Sequence, residues 1–377
     1  LTDNPGILWT ILSFLFVIGP LIFVHELGHY FVGRWFGIKA EAFSIGFGRE
    51  IAGWTDKRGT RWKLAWLPLG GYVKFAGDMN AAGQPSPEWL ALPPEERART
   101  FQAKPVWQRF LVVLAGPMTN FLAAVLILTG FNLAYGVPET PAVIGSFLEG
   151  SPAAAAGLRA GDRVVSIDGK GIDRFEDILP IVALKIDGAL KLEVEREGRR
   201  FQVDVRPRTI VEKDQFGNEN RRPVLGIVHG EQVVTPVSPV AAVGASVQQC
   251  WMVVTTTVKG LGQIITGSRS VKEMGGPLKI AKLSGEQTSM GLLAFFWFLA
   301  VISINLGFIN LLPIPMLDGG HLFFYGIEAV RRKPLRPEAQ EWAFRTGLAA
   351  LLALMILVTF NDLASFGLWS KLGGLID

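Results

Sequence analysis

The sequence predicts an α-helical polytopic membrane protein with four transmembrane helices, an inserted α+β domain and a β-hairpin that dips into the membrane. Three observations predict it. Residues 7–24, 111–131, 292–312 and 342–360 are apolar over roughly the 20 residues that a bilayer crossing needs. Hydrophobic residues are 49% of the 377 and charged residues 19%, too apolar for a typical soluble enzyme and too polar for a bare helical bundle. Between the second and third runs the texture changes to strand-like alternation and turn dipeptides, as in a soluble domain. The formal net charge of +4 fits an excess of Lys and Arg in cytoplasmic loops. The lipid bilayer is therefore an expected partner, and nucleic acid is not. The one cysteine, Cys250, excludes an internal disulfide.

The first run lacks a basic leading region and a small-residue cleavage pattern, so it reads as a retained transmembrane helix rather than a signal peptide. Pro20 is expected to bend it. It ends in His25-Glu26-Leu27-Gly28-His29. An ionisable side chain in hydrocarbon costs on the order of a few kcal/mol, so something must compensate. Positions i and i+4 of a helix share a face, and His25 and His29 can hold one cation between them. Glu26 is offset from that face and can hold a water beside the cation. This is the HExxH arrangement of zinc metalloproteases.

Residues 34–109 are polar, basic and punctuated by glycine. Within them, 43–48 and 64–75 read as short strands around turns, unusually apolar for loops. Gly70, Gly71, Tyr72 and Val73 sit in the second. Two readings stand for this hairpin. It dips into the membrane beside the site, where irregular backbone is tolerated if it lines a wet cavity, or it is an ordinary surface hairpin. Residues 79–99, rich in Pro and Glu, read as a linker, and 105–110 as an interfacial entry helix. The second span carries Gly116, Pro117 and Asn120. Asn120 is polar in lipid and should face another helix, to bridge it by a hydrogen bond or to help at the metal site.

In residues 136–234, Leu190-Lys191-Leu192-Glu193-Val194-Glu195 and Phe201-Gln202-Val203-Asp204-Val205 alternate as strands. Asp168-Gly169, Asp187-Gly188 and Glu197-Gly198 mark turns. The phrase from Gly150-Ser151-Pro152 through Gly157-Leu158-Arg159-Ala160-Gly161-Asp162 to Ile167-Asp168-Gly169 resembles a bacterial PDZ domain. PDZ domains take up a chain end as an added strand. The resemblance implies peptide C-termini as partners, with Leu225, Gly226 and Ile227 as the carboxylate loop of a circularly permuted form. Residues 240–267 are moderately apolar but interrupted by Gln248, Gln249 and Lys259. The third span ends in Asn310-Leu311-Leu312-Pro313-Ile314-Pro315-Met316-Leu317-Asp318-Gly319-Gly320-His321, and Arg331, Arg332, Lys333 and Arg336 form a basic loop before the last.

Catalytic zinc takes three protein ligands and keeps a position for water. Asp318 is the expected third ligand, because the Pro-x-Pro break would unwind the helix and aim the carboxylate inward. A cap or turn role before Gly319-Gly320 is the alternative. His321 is the weaker candidate for the third ligand and reads as a supporting or capping residue. For His25, His29 and Asp318 to meet, the first and third spans must cross in the same direction. The second span returns the chain between them, so residues 240–267 should lie on or against the membrane without crossing. The expected domains are 1–135 and 291–377 for the two halves of a membrane core, 136–234 for the PDZ domain, and 235–290 for a membrane-associated segment that does not span. The basic loops then share the cytoplasmic side by the positive-inside rule, which sets the metal toward the cytoplasm and turns the PDZ domain outward.

The His25-to-His29 motif does not stand alone. With Gly46-Phe47-Gly48, Pro68-Leu69-Gly70-Gly71-Tyr72-Val73-Lys74, Ala115-Gly116-Pro117-Met118-Thr119-Asn120-Phe121, the PDZ phrase and the stretch from Asn310 to His321, it resembles the bacterial intramembrane site-2 proteases of the RseP type (regulator of sigma-E protease). The resemblance implies a zinc metalloendopeptidase of the bacterial inner membrane, with its PDZ domain in the periplasm. Zinc would be held by His25, His29 and Asp318, with Glu26 as the general base and acid. Substrates would be single-pass membrane proteins cut within or near their transmembrane segments, among them anti-sigma factors already trimmed by a first protease, and remnant signal peptides. A helical substrate hides its peptide bonds and must be unwound. An exposed edge at Gly70, Gly71, Tyr72 and Val73 could accept it in extended form. By resemblance Asn310 helps hold that backbone; capping the helix break at Pro313 is its alternative. One PDZ domain fits here, where members with two in tandem are familiar. A zinc transporter or sensor would not need Glu26, and a silent PDZ scaffold would not keep it.

Overall fold

The computed structural model describes residues 6–77, 91–184, 188–213, 219–231, 233–267, 275–333 and 335–365. The expected linker up to residue 90, and Asp187 of one expected turn, lie outside them. The chain folds as two compact units. One comprises residues 1–128, 246–262 and 270–377, and the other residues 129–245 and 263–269.

The first unit opens with α1 (Ile7–Trp35), β1 (Ala40–Thr55), β2 (Arg61–Phe75), α2 (Pro94–Arg97) and the start of α3 (Val106–Tyr135). Among the described residues four helices are long and apolar enough to cross a membrane: Ile7–Trp35, Val106–Tyr135, Leu292–Leu311 and Glu338–Ala364. The helix α1 runs through Pro20 without a break. The interfacial entry helix expected at 105–110 runs on into the second span as the start of α3: nothing in Val106, Trp107 or Gln108 stops the helix, and Pro105 precedes it.

The expected short strands are longer and do more. Residues 42–45 of β1 pair with 71–74 in opposed running order, and with 61–64 in the same running order. Residues 50–55 pair with 61–65. The result is a small sheet of four rows. Row 71–75 lies at its margin, with no strand on the other side among the described residues. Phe43, buried at the centre, packs on Trp62 and Tyr30, which fastens the sheet to α1.

In the second unit come β3 (Val137–Glu139), β4 (Ile144–Phe147), α4 (Pro152–Ala155), β5 (Arg163–Ile167), β6 (Lys170–Gly171), α5 (Ile178–Leu184), β7 (Leu190–Arg196), β8 (Arg199–Val205), β9 (Arg208–Lys213), β10 (Glu219–Val224), β11 (Ile227–His229) and β12 (Val233–Thr235). A four-stranded antiparallel sheet runs in the order β6-β5-β7-β8. The alternation in β7 has its expected effect: Leu190, Leu192 and Val194 are fully buried, while the residues between them face out. Asp168-Gly169 and Glu197-Gly198 all have positive φ, the signature of tight hairpin turns. The strands that lead into and out of the domain pair with each other, Val137 opposite Thr235 and Glu139 opposite Val233.

The helix α6 (Pro239–Ile265) belongs to both units. It is not among the four membrane-capable helices. In the first unit its Cys250 packs with Ala124 and Leu128 of α3. After it come α7 (Pro277–Ser289), α8 (Leu292–Leu311), α9 (Asp318–Arg331) and α10 (Pro337–Ser365). Val17 and Leu21 of α1 pack with Leu299 of α8 in one buried cluster.

Candidate metal centre

His25, Glu26 and His29 lie on α1 just past the apolar run, and His25 and Glu26 are buried. The helical spacing brings His25 Nε2 and His29 Nε2 to 3.3 Å. Asp318 Oδ2 is 3.1 Å from the first and 3.5 Å from the second. These three residues form a group able to hold a metal ion.

Asp318 reaches them because α8 stops at Leu311 and the chain doubles back. Pro313 and Pro315 deny the helix its continuing donors, and the Leu317 and Gly320 N–H groups close turns onto Ile314 and Leu317 at 3.1 and 3.0 Å. At Gly319 and Gly320 a Cβ would overlap the carbonyls of Leu311, Leu312 and Ile314. Only glycine lets α9 start so close to the end of α8. The cap position of α9 is Leu317, with Asp318 one residue inside it. The carboxylate is therefore not taken up by capping.

The ring orientations follow from α3. His29 Nδ1 donates to the Val112 carbonyl at 2.9 Å, which leaves the lone pair on Nε2. Asn120, fully buried, sets its amide 3.1 Å from His25 Nδ1, while its Oδ1 is buried without a partner. Amide oxygen and nitrogen are interchangeable by rotation. Turning this amide over lets the orphan Oδ1 accept from His25 Nδ1–H and gives both histidines the same tautomer. Asp318 Oδ2 is likewise buried with no hydrogen-bond partner. Three lone-pair atoms then face one another, an arrangement that repels itself unless a cation sits between them. Tetrahedral zinc with bonds of about 2.0–2.1 Å sets its ligands about 3.3–3.4 Å apart, and the separations here bracket that value. The donor set fits zinc.

Gly116 makes room for the rings. A Cβ there would collide with the His29 imidazole and press on His25. Glu26 is buried and lines the same cavity as the triangle. Gly71 of the sheet margin packs directly on it, and the Val73 N–H is directed at its carboxylate. A cavity of about 730 Å³ takes in His25, Glu26, His29, Gly70, Gly71, Tyr72, Val73, Asn310, Asp318 and His321. The His321 ring sits 5.0 Å from that of Phe344. Leu225, Gly226 and Ile227 lie elsewhere, in the second unit. There the Leu225 carbonyl accepts from Ala153 N and Ser151 Oγ, and Gly226 has a φ of 70°. Sequence reasoning gave no role to Gly116, the Val112 carbonyl or Ser303, whose hydroxyl donates to the Asn120 carbonyl at 2.8 Å. The i, i+4 spacing of Gly116 and Asn120 was a usable signal: small and polar on one helix face.

Residues 13–354 match the profile described as Peptidase family M50. The chain belongs to this family. An M50 peptidase is a zinc-dependent site-2 protease, and this one is a multi-pass membrane zinc metalloendopeptidase that acts as an intramembrane protease. The M50 chain is 43% identical over 360 residues to "Putative zinc metalloprotease Atu1380" of Agrobacterium fabrum, covering 94% of this chain and 96% of that protein. It is 37% identical over 395 residues to metalloprotease MmpA of Caulobacter vibrioides, with 98% and 99% covered. Among solved structures, 25% of the chain is similar to the PDZ domain of an SdrC-like protein from Listeria monocytogenes, at 22% identity and a TM-score of 0.19, with 90% of that structure covered.

Proposed function

We propose that this M50 peptidase hydrolyses peptide bonds within or near the transmembrane segments of single-pass membrane proteins, with zinc held by His25, His29 and Asp318. The observation that carries the proposal is the triangle of Nε2, Nε2 and Oδ2 atoms at 3.1–3.5 Å, sharing one cavity with Glu26 and a strand margin that has no further strand beside it among the described residues. When bound, zinc supplies Lewis acidity, polarising a carbonyl and bringing the pKa of water to about 7. Glu26 takes a proton from the attacking water and returns it to the leaving nitrogen. The Gly70, Gly71, Tyr72 and Val73 margin receives the unwound substrate as an added strand, trading its helix hydrogen bonds for sheet ones. Asn310, across the cavity, holds the same backbone.

The second unit is a PDZ domain on this reading, with Leu225, Gly226 and Ile227 receiving peptide C-termini. It filters substrates and takes no part in the chemistry. The substrates are anti-sigma factors already cut once, and remnant signal peptides. The enzyme sits in the bacterial inner membrane with the metal toward the cytoplasm, the PDZ domain in the periplasm, and α6 against the membrane without crossing. The basic residues of the 34–109 and 331–336 loops support this orientation.

Purified full chain, given a fluorogenic transmembrane substrate with and without chelator, tests the proposal. Glu26→Gln should keep its zinc and lose turnover by on the order of 10²–10⁴-fold; a normal rate in that variant would exclude Glu26. Asp318→Ala should lose zinc and activity together. Substrates trapped by Glu26→Gln in cells would identify the natural ones.

A further inference from the structure

On α9, Asp318, His321, Tyr325 and Glu328 follow one another at spacings of three and four residues, which puts them on one helix face. The first three line the cavity. The fourth ends at Arg109, in the first turn of α3. Arg109 Nη2 donates to Glu328 Oε1 at 2.7 Å, and the two side chains are only 12% and 15% exposed. Arg109 Nε donates to the Lys104 carbonyl at 3.1 Å, and the guanidinium lies 4.9 Å from the centre of the Tyr325 ring. The fork is thus fixed by its own chain and grips α9 at two points one turn apart.

We propose that Arg109 is a positioning residue for Asp318: through Glu328 and Tyr325 it sets the roll of α9 about its axis, and so the place of the carboxylate in the metal triangle. This rests on the reading of Asp318 as a zinc ligand. Gly319 and Gly320 pin the start of α9 against the end of α8, but they have no side chains to resist rotation. The apolar contacts of α9, such as Phe324 on Phe344, are not directional. The Arg109 fork is. A helix with its side chains is about 10–12 Å across, so a roll of about 20° carries a side-chain tip through roughly 2 Å. Metal sites tolerate ligand displacements of about 0.2 Å. A small roll therefore costs a ligand. One face of α3 then indexes all three ligands: Val112 orients His29, Asn120 orients His25, and Arg109 orients Asp318 through α9.

The test is zinc affinity of the full chain in nanodiscs, by competition with a chromophoric chelator, together with the visible spectrum of the cobalt-substituted protein. Arg109→Ala and Glu328→Ala should each weaken zinc about 10–100-fold, as loss of a ligand's supporting partner does, and both should alter the cobalt spectrum. The double variant should be no worse than the poorer single. Asp362→Asn breaks a different buried anchor, the carboxylate that accepts from Gly276 N and Lys279 N. It should lower the Tm and leave zinc affinity unchanged. If Arg109→Ala does not fold, Glu328→Gln decides, with a loss toward the lower end of that range. Wild-type affinity and cobalt spectrum in the Arg109 and Glu328 variants, or an equal loss in Asp362→Asn, would overturn the proposal. Asp318→Asn separates the two readings. If it keeps full affinity, the ligand reading fails; if it loses zinc while the Arg109 and Glu328 variants do not, only the positioning role fails.

Discussion

Single side chains at the metal triangle are set by partners far away in sequence, and Asn120 is the clearest case. With its amide oxygen on His25 Nδ1, an acid can replace it. Asn120→Asp should retain zinc, as a carboxylate–histidine–metal chain, whereas Asn120→Leu should weaken it about 10–100-fold. Zinc titration of the two variants checks this, and loss in both would mean that the amide nitrogen faces the ring. Gly116→Ala should also expel the metal, because the added methyl has nowhere to go except into the imidazoles. The two histidines and Glu26 were legible from spacing alone, since local helix geometry fixes their relation. Gly116 was not, because its role exists only once α3 lies against α1. In the second unit, burial alone would raise the pKa of Asp162; the hydrogen bonds from Arg196 and the Arg159 N–H outweigh this and hold it below the ordinary carboxylate range. A depressed pKa contributes stability that is complete above the unfolded value of about 3.9 and is lost as pH falls through the folded one. Hydrogen exchange of β5 and β7 in the full chain should speed up in that acid window, and Asp162→Asn should remove the pH dependence.

At the level of elements, what the chain reads locally it builds faithfully, and what needs pairing between elements it does not announce. The apolar runs gave their helices, and the alternation in β7 gave a half-buried strand. The stretch 43–48 looked like one short strand because a sequence pattern shows only the near side of a pairing. In the fold, residues 42–45 are flanked on both sides, by 61–64 and by 71–74, and Ala42, Phe43 and Ser44 are buried. Gly71 packs on Glu26, which sets this hairpin beside the site. If the 71–75 margin unwinds substrates, a proline at Tyr72 should slow the cleavage of stable transmembrane helices more than that of kinked ones. Rates on a matched pair of substrates decide it, and equal slowing would remove the unwinding role.

Across the whole molecule, the parity of crossings linked two motifs almost three hundred residues apart before any contact was known. A span can only exit opposite to where it entered, so the expectation that His25 and Asp318 share a metal requires an even number of crossings between them. The change of texture near residues 136 and 234 already marks the ends of the inserted domain, and the fold ties those ends together: Glu139 and Val233 are register partners. Excising residues 140–232 and closing the gap with a short turn should leave the membrane helices intact. Substrates with bulky, untrimmed outer domains should then become cleavable, as followed by gel on reconstituted protein; unchanged exclusion would mean that the domain is no filter. The same paired ribbon has a consequence for how such chains diversify. An insert whose two ends leave through adjacent rungs of one ladder is a cassette: it can be exchanged, lengthened or doubled without moving any helix that holds the catalytic groups. A chain can thus gain, lose or double the domain between Glu139 and Val233 while the helices that hold His25, His29 and Asp318 stay the same.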